Sequence, residues 1–169
     1  MEYLLSALIG YLLGCSNMAT YLAMLRGVDL RAHGSGNPGA SNAMILMGWR
    51  SGVLVGVHDV GKAVAAVLIC KALFPGAALA GTVAGVSCVL GHMFPFYLRF
   101  RGGKGFASYL GMALALNWRF ALVVALAVVV ITLVTDYIVL GTMATVVSFP
   151  LFTAWKGGLC AALLPALLS

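Results

Sequence analysis

Two stretches of the chain carry the residue types that hold phosphate. Residues 31–42, RAHGSGNPGASN, place Gly34, Gly36 and Gly39 among four neutral hydrogen-bonding residues, Ser35, Asn37, Ser41 and Asn42. Glycine permits positive φ and close approach of a ligand to the backbone, and Pro38 stiffens the turn. The apolar run AMILMG follows. It predicts a short helix whose free N–H groups would complete an anion cradle. A plain glycine-rich turn between helices is the simpler alternative. Residues 91–105, GHMFPFYLRFRGGKG, hold His92, Arg99, Arg101 and the glycines Gly102, Gly103 and Gly105 around Lys104. Lysine as a point charge and arginine as a bidentate fork both suit phosphate. A basic, aromatic membrane border would explain the charges, but it does not require three glycines around one lysine. A third group is Asp59 with Lys62, which share a helix face at i, i+3 and can pair. They stand at the entry to an apolar segment, with His58 expected at the interface. A structural ion pair is an equally open reading of them. Thr142, with Asp136 and Tyr137, makes a smaller polar patch.

The spacing Gly34-x-Gly36-x-x-Gly39 matches the dinucleotide-binding fingerprint, and Asp59 lies at the distance expected of its ribose-binding acid. The surrounding chain excludes that reading, because the loop follows an apolar helix and not a strand. A P-loop would need lysine where Ala40 stands. No histidine is followed by aspartate at the H-x-x-x-x-D spacing, and no G-x-S-x-G elbow occurs. Residues at metal-ligand spacing are absent from the sequence, and no cofactor is implied. Any reaction would therefore rest on positioning and on neutralising phosphate charge.

The elements that must position these residues are membrane helices. The chain of 169 residues is 63% hydrophobic and 8% charged, with mean hydropathy +1.08, against about 25% charged in a soluble domain. The alternating ten-residue segments of a membrane barrel are absent. An all-α integral membrane protein is expected, one helical domain over 1–169. It would hold about seven transmembrane or partly re-entrant helices, near 3–25, 52–73, 76–94, 104–117, 119–134, 137–155 and 157–169. Several are short, which implies re-entrant pieces, local thinning or a membrane partner protein covering them. Glu2 is the only early charge, so the first segment reads as a retained helix and not as a signal peptide. Lys and Arg gather in 26–51 and 95–104; these should be cytoplasmic, with the N-terminus outside. The net charge of +6 then faces anionic lipid headgroups. Nucleic-acid binding is excluded for want of a soluble domain or aromatic platform. Cys15, Cys70, Cys88 and Cys160 lie in apolar runs and read as packing.

Taken together, YLLG in the first segment, VDLRAHGSGNPGASNA, Asp59-x-x-Lys62 and VLGHMFPFYLRFRGGKGFA resemble the bacterial acyl-phosphate:glycerol-3-phosphate acyltransferases of the PlsY type. The resemblance runs from about residue 8 to residue 145. It implies a seven-helix inner-membrane enzyme that moves a fatty acyl group from acyl phosphate to the 1-hydroxyl of glycerol 3-phosphate. The products would be lysophosphatidate, for phospholipid synthesis, and phosphate. It implies catalytic roles for Ser35, Asn37, Ser41, Asn42 and Lys104. Substrate contacts would come from Gly34, Gly36, Gly39, Asp59, Lys62, His92, Gly102, Gly103, Gly105 and Thr142. The chain departs from the family pattern at Ile45, usually Arg, at Ser41, usually Thr, at Ala63, usually Gly, and at Val139, usually Ser. It also ends at Ser169 without the family's C-terminal His-Arg stretch. A paralogue acting on another phosphorylated or lipid substrate, or a non-catalytic lipid-phosphate-binding membrane subunit, are the alternatives.

Overall fold

The computed structural model describes residues 1–137 together with 143–144, 147–148 and 151, and every regular element within them is helical. Helix α1 spans Glu2–Cys15, α2 Met18–Arg26, α3 Ala40–Met47, α4 Trp49–Leu73, α5 Ala80–Met93, α6 Phe106–Leu116 and α7 Trp118–Thr135. A single 3₁₀ turn, Phe96–Leu98, interrupts the connection from α5 to α6. Four helical stretches are long and apolar enough to cross a bilayer: Glu2–Arg26, Trp49–Leu73, Ala80–Leu98 and Trp118–Thr135. The segments expected at 137–155 and 157–169, and with them Thr142, lie outside the described residues but for isolated positions.

The first segment is broken where one continuous helix was expected. Ser16 is extended, with φ −58° and ψ 123°. Asn17 then restarts the helix, its Oδ1 accepting the Thr20 N–H at 2.8 Å. An Asn side chain that satisfies a first-turn N–H makes such a restart cheap. Helix α4 begins at Trp49, so Asp59 and Lys62 sit well inside it and not at its entry. At 1.5 Å per residue they lie about 15–20 Å from its start.

Small residues let the helices approach closely. A Cβ on Gly10 or Gly14 would overlap the Ala84 or Cys88 carbonyl of α5, and one on Gly111 of α6 would overlap the Val60 carbonyl of α4. Between α1, α4 and α5 the core is correspondingly small: Ala63, Ala66, Cys70, Ala80, Ala84 and Cys88. Such seams are how membrane helices gain packing without a hydrophobic drive between them. Helix α6, with 11 residues, covers only about 16 Å. Its C-terminal end is closed by Lys71, whose Nζ donates to the Ala115 carbonyl at 3.2 Å. Arg50 over Trp49 and Arg119 over Trp118, at 5.6 and 5.5 Å, place cation–aromatic pairs at the starts of α4 and α7, as interfacial anchors do.

Candidate functional site

The 31–42 loop is shaped by its own side chains. Gly34 and Gly36 take positive φ, 62° and 68°, which lets the chain fold back on itself. The Asn42 carboxamide closes the turn. Its Oδ1 accepts the Ser35 N–H at 2.9 Å, and its Nδ2 donates to the Leu30 and His33 carbonyls at 2.9 and 3.3 Å. A Cβ on Gly34 would collide with that same Oδ1. Upstream, the Asp29 carboxylate accepts the N–H groups of Arg31 and Ala32 at 2.8 and 3.1 Å. Those two bonds hold its pKa below the ordinary carboxylate value. Helix α3 starts at Ala40 after Gly39, with no side-chain cap, so its first-turn N–H groups have no intrahelical partner. Ser41 is exposed in that turn and Ser35 is exposed in the loop. The short helix expected after the loop is therefore present.

The second loop hangs from the end of α5. The Gly102 N–H donates to the Met93 carbonyl at 2.8 Å, and the Gly103 N–H to the His92 carbonyl at 3.1 Å. The glycine pair thus satisfies carbonyls that a helix C-terminus leaves open. A Cβ on Gly102 would overlap the His92 carbonyl, and one on Gly103 would overlap His92 Nε2. Lys104 follows, exposed, and makes no hydrogen bond or ion pair among the described residues. Gly105, with φ 84°, precedes the first residue of α6.

The two loops meet. The Arg31 guanidinium donates to the Arg101 carbonyl. The break in the first span joins them to α4: Asn17 Nδ2 donates to the Pro38 carbonyl at 3.2 Å, and Lys62 Nζ donates to the Ser16 carbonyl at 2.7 Å. Tyr97 donates its hydroxyl to the Cys15 carbonyl at 2.8 Å. A cleft of about 360 Å³ opens beside the first loop, lined by Ala23, Met24, Leu30, Pro38 and Leu98 together with the polar Thr20, Asp29 and Arg31.

Beneath the loops lies a buried polar cluster. Asp59, Lys62 and His92 are 2%, 7% and 4% exposed. Lys62 Nζ lies 2.9 Å from Asp59 Oδ1 and 2.8 Å from His92 Nδ1. Burying a charge inside the protein is costly unless it is paired, and here the carboxylate and ammonium pair directly. His58, expected at the interface, belongs to this cluster: its Nδ1 lies 3.5 Å from Asp59 Oδ1 and its Nε2 3.0 Å from Ser16 Oγ. Its adjacency to Asp59 in the sequence was the one available signal. Ser16 and Asn17 gave none, because only the tertiary contacts reveal the break. Among the described residues no group of three His, Cys, Asp or Glu side chains converges on a point where a metal ion would sit.

The candidate residues thus divide. The hydroxyls of Ser35 and Ser41, the Asn37 carboxamide and the Lys104 ammonium have no partner among the described residues. Asn42, Asp59, Lys62 and His92 are committed to the protein itself.

The family model for glycerol-3-phosphate acyltransferase matches residues 4–169. The glycerol-3-phosphate acyltransferase of Clostridioides difficile strain 630 is 39% identical, over 96% of this chain and 83% of that protein. Glycerol-3-phosphate acyltransferase 1 of Oceanobacillus iheyensis is 33% identical, over 94% of this chain and 80% of the relative. Among solved structures, PlsY (YgiH), an integral membrane glycerol 3-phosphate acyltransferase, is similar in its glycerol 3-phosphate form with a TM-score of 0.88 and 35% identity. That match covers 99% of this chain and 86% of the other. Its lysophosphatidic acid form is similar with a TM-score of 0.86 and 34% identity.

Proposed function

The chain belongs to the glycerol-3-phosphate acyltransferase family, and from that premise we propose that it acylates the 1-hydroxyl of glycerol 3-phosphate with acyl phosphate as donor, yielding lysophosphatidate and inorganic phosphate. The observation that carries the reading is the Arg31–Arg101 contact. It brings a loop with an uncapped helix start and two serine hydroxyls alongside a loop with a lysine, none of the three side chains having a partner among the described residues. Two phosphates have to be held close together in this reaction, and their repulsion must be neutralised.

In this reading Ser35, Asn37, Ser41 and the first-turn N–H groups of α3 receive one phosphate, and Lys104 the other. Gly34, Gly36, Gly39, Gly102, Gly103 and Gly105 let the backbone come close. The hydroxyl oxygen of glycerol 3-phosphate bonds to the acyl carbon, and the bond from that carbon to the phosphate oxygen breaks. The hydroxyl proton leaves with the departing phosphate, so no protein base is required. The cleft beside Pro38 offers Ala23, Met24, Leu30 and Leu98 to the first carbons of an acyl chain, with Asp29 and Arg31 also on its wall. Positive residues gathered at the loop end support placing both loops on the cytoplasmic face of the inner membrane, with the N-terminus outside. A membrane partner covering the short α6 fits the same picture.

The test is direct. The protein, purified in detergent, is given palmitoyl phosphate and labelled glycerol 3-phosphate. Lysophosphatidate formed by the unmodified protein, and formed about 10- to 150-fold less efficiently by Lys104→Ala, supports the reading. Binding of either phosphate without turnover would instead make the chain a lipid-phosphate-binding subunit.

A further inference from the structure

We infer that Asn17 and Tyr97 are positioning residues: from the break in the first span they hold the start of α3 and the Lys104 loop at one fixed separation. A helix that stops leaves its last carbonyls without intrahelical partners, and one that starts leaves its first N–H groups so. Between α1 and α2 three consecutive residues hand these groups to three different elements. The Cys15 carbonyl accepts the hydroxyl of Tyr97, in the 3₁₀ turn, at 2.8 Å. The Ser16 carbonyl accepts Lys62 Nζ, from α4, at 2.7 Å. Asn17 serves both sides of its own position: Oδ1 accepts the Thr20 N–H at 2.8 Å, and Nδ2 donates to the Pro38 carbonyl of the first loop at 3.2 Å. A carbonyl only accepts and a backbone N–H only donates, so these partners fix the Asn17 carboxamide in one orientation and the Tyr97 proton on the Cys15 side. The Tyr97 oxygen also lies 3.3 Å from the Tyr21 hydroxyl of α2.

Both loops are thereby referenced to the same short piece of chain. Cys15 and Asn17 are two residues apart, which spans at most about 7 Å. Pro38 stands two residues before Ala40, the first of α3, so the Asn17 bond holds the uncapped helix start. From Tyr97 to Lys104 the chain has little slack. The N–H groups of Phe100, Arg101, Gly102 and Gly103 donate to the carbonyls of Pro95, Leu98, Met93 and His92. Arg99 and Phe100 take positive φ, 56° and 58°, which non-glycine residues keep only where their surroundings enforce it. A loop tied down at Tyr97 therefore delivers Lys104 to a set place. Asn17 is 1% exposed, so water cannot replace its tie.

The inference rests on the acyltransferase reading, in which one phosphate lies at the start of α3 and the other at Lys104. With the tie cut, each loop still binds its own phosphate; what is lost is the alignment of hydroxyl and acyl carbon, which lowers rate more than binding. Asn17→Ser keeps an acceptor for the Thr20 N–H, serine and asparagine being comparable N-caps, but is too short to reach Pro38. Tyr97→Phe keeps the ring and drops the hydroxyl. Each should lower kcat about tenfold and leave both KM values within about twofold. Either cut frees the same separation, so the double variant should be no more than about twofold slower than the slower single one. A kcat within about twofold of the unmodified protein, a loss carried by KM, or losses that multiply to about 100-fold in the double variant overturns the inference. Tyr97 is 42% exposed, so Tyr97→Phe decides the matter even where Asn17→Ser does not fold. Independently of turnover, nitroxides at Ile45→Cys on α3 and Phe100→Cys in the second loop report the separation itself. Both positions are exposed, Cys15, Cys70 and Cys88 are buried, and Cys160→Ala removes the fourth thiol. The EPR distance distribution should broaden in Asn17→Ser and in Tyr97→Phe, and an unchanged distribution in either overturns the inference. If the unmodified protein shows no turnover, the acyltransferase reading fails and the EPR result alone decides this one.

Discussion

The Asn42 carboxamide fixes the backbone at Ser35: its oxygen accepts the Ser35 N–H at 2.9 Å, while its nitrogen holds the Leu30 and His33 carbonyls. Asn42 is 1% exposed, so these groups have no water to replace it. Asn42→Ala should destabilise the protein by about 2–3 kcal/mol, the cost of leaving buried groups unpaired. It should also lower kcat/KM through the misplaced Ser35. Thermal unfolding in detergent and steady-state kinetics check both effects. A fully active, equally stable variant would show that the loop keeps its shape without this staple.

Lys104 is exposed and unpaired among the described residues, so its removal should not affect folding. A charged hydrogen bond contributes about 1.5–3 kcal/mol. Lys104→Ala should therefore lower kcat/KM for glycerol 3-phosphate about 10- to 150-fold at an unchanged melting temperature. Lys104→Arg should restore part of the loss.

Ile45 lies on the exposed face of α3, 71% exposed, at the position where the resemblance to PlsY-type enzymes predicts arginine. Placing a guanidinium there displaces no packed side chain. Ile45→Arg should leave stability within about 0.5 kcal/mol. Turnover should increase if the loop is short of positive charge; a fall in kcat/KM would show that the surrounding cations already suffice.

Gly14 meets the Cys88 carbonyl where α1 crosses α5. Gly14→Ala must push backbone against backbone, which costs about 1–3 kcal/mol. The melting temperature should drop. Gly61, which has open space where its Cβ would be, is the control: Gly61→Ala should be neutral or stabilising.

Asp29 holds the Arg31 and Ala32 amides, and its folded-state pKa is lowered by those two bonds. A depressed carboxylate contributes order above its unfolded pKa, about 3.9, and loses it only as pH falls through the lower folded value. Amide exchange at Arg31 and Ala32 should show constant protection, after correction for intrinsic rates, from about pH 8 down to about pH 4. In Asp29→Ala that protection should be absent throughout. Protection that fades near neutral pH would show that a group other than Asp29 holds the turn.

The amino-acid sequence by itself determined the class of protein and the two loops. Hydropathy alone requires membrane helices, because so much apolar surface has no other place to go. Gly34 and Gly36 declared themselves as a turn because glycine takes positive φ at little cost, and both do so here. The tertiary structure decided which polar residues are free and which are committed. The Asp59–Lys62 pair stands far from His92 and Ser16 in the string of letters, yet folding brings Lys62 Nζ to 2.9 Å from Asp59 Oδ1, 2.8 Å from His92 Nδ1 and 2.7 Å from the Ser16 carbonyl. Ser16 and Asn17 look like ordinary polar positions in an apolar helix, yet the chain breaks there and links α4 to the Pro38 loop. The physical reason is the same in each case. Hydropathy and backbone conformational freedom are properties of a residue and its near neighbours, whereas hydrogen-bond saturation depends on groups tens of residues away that only folding brings within 3 Å.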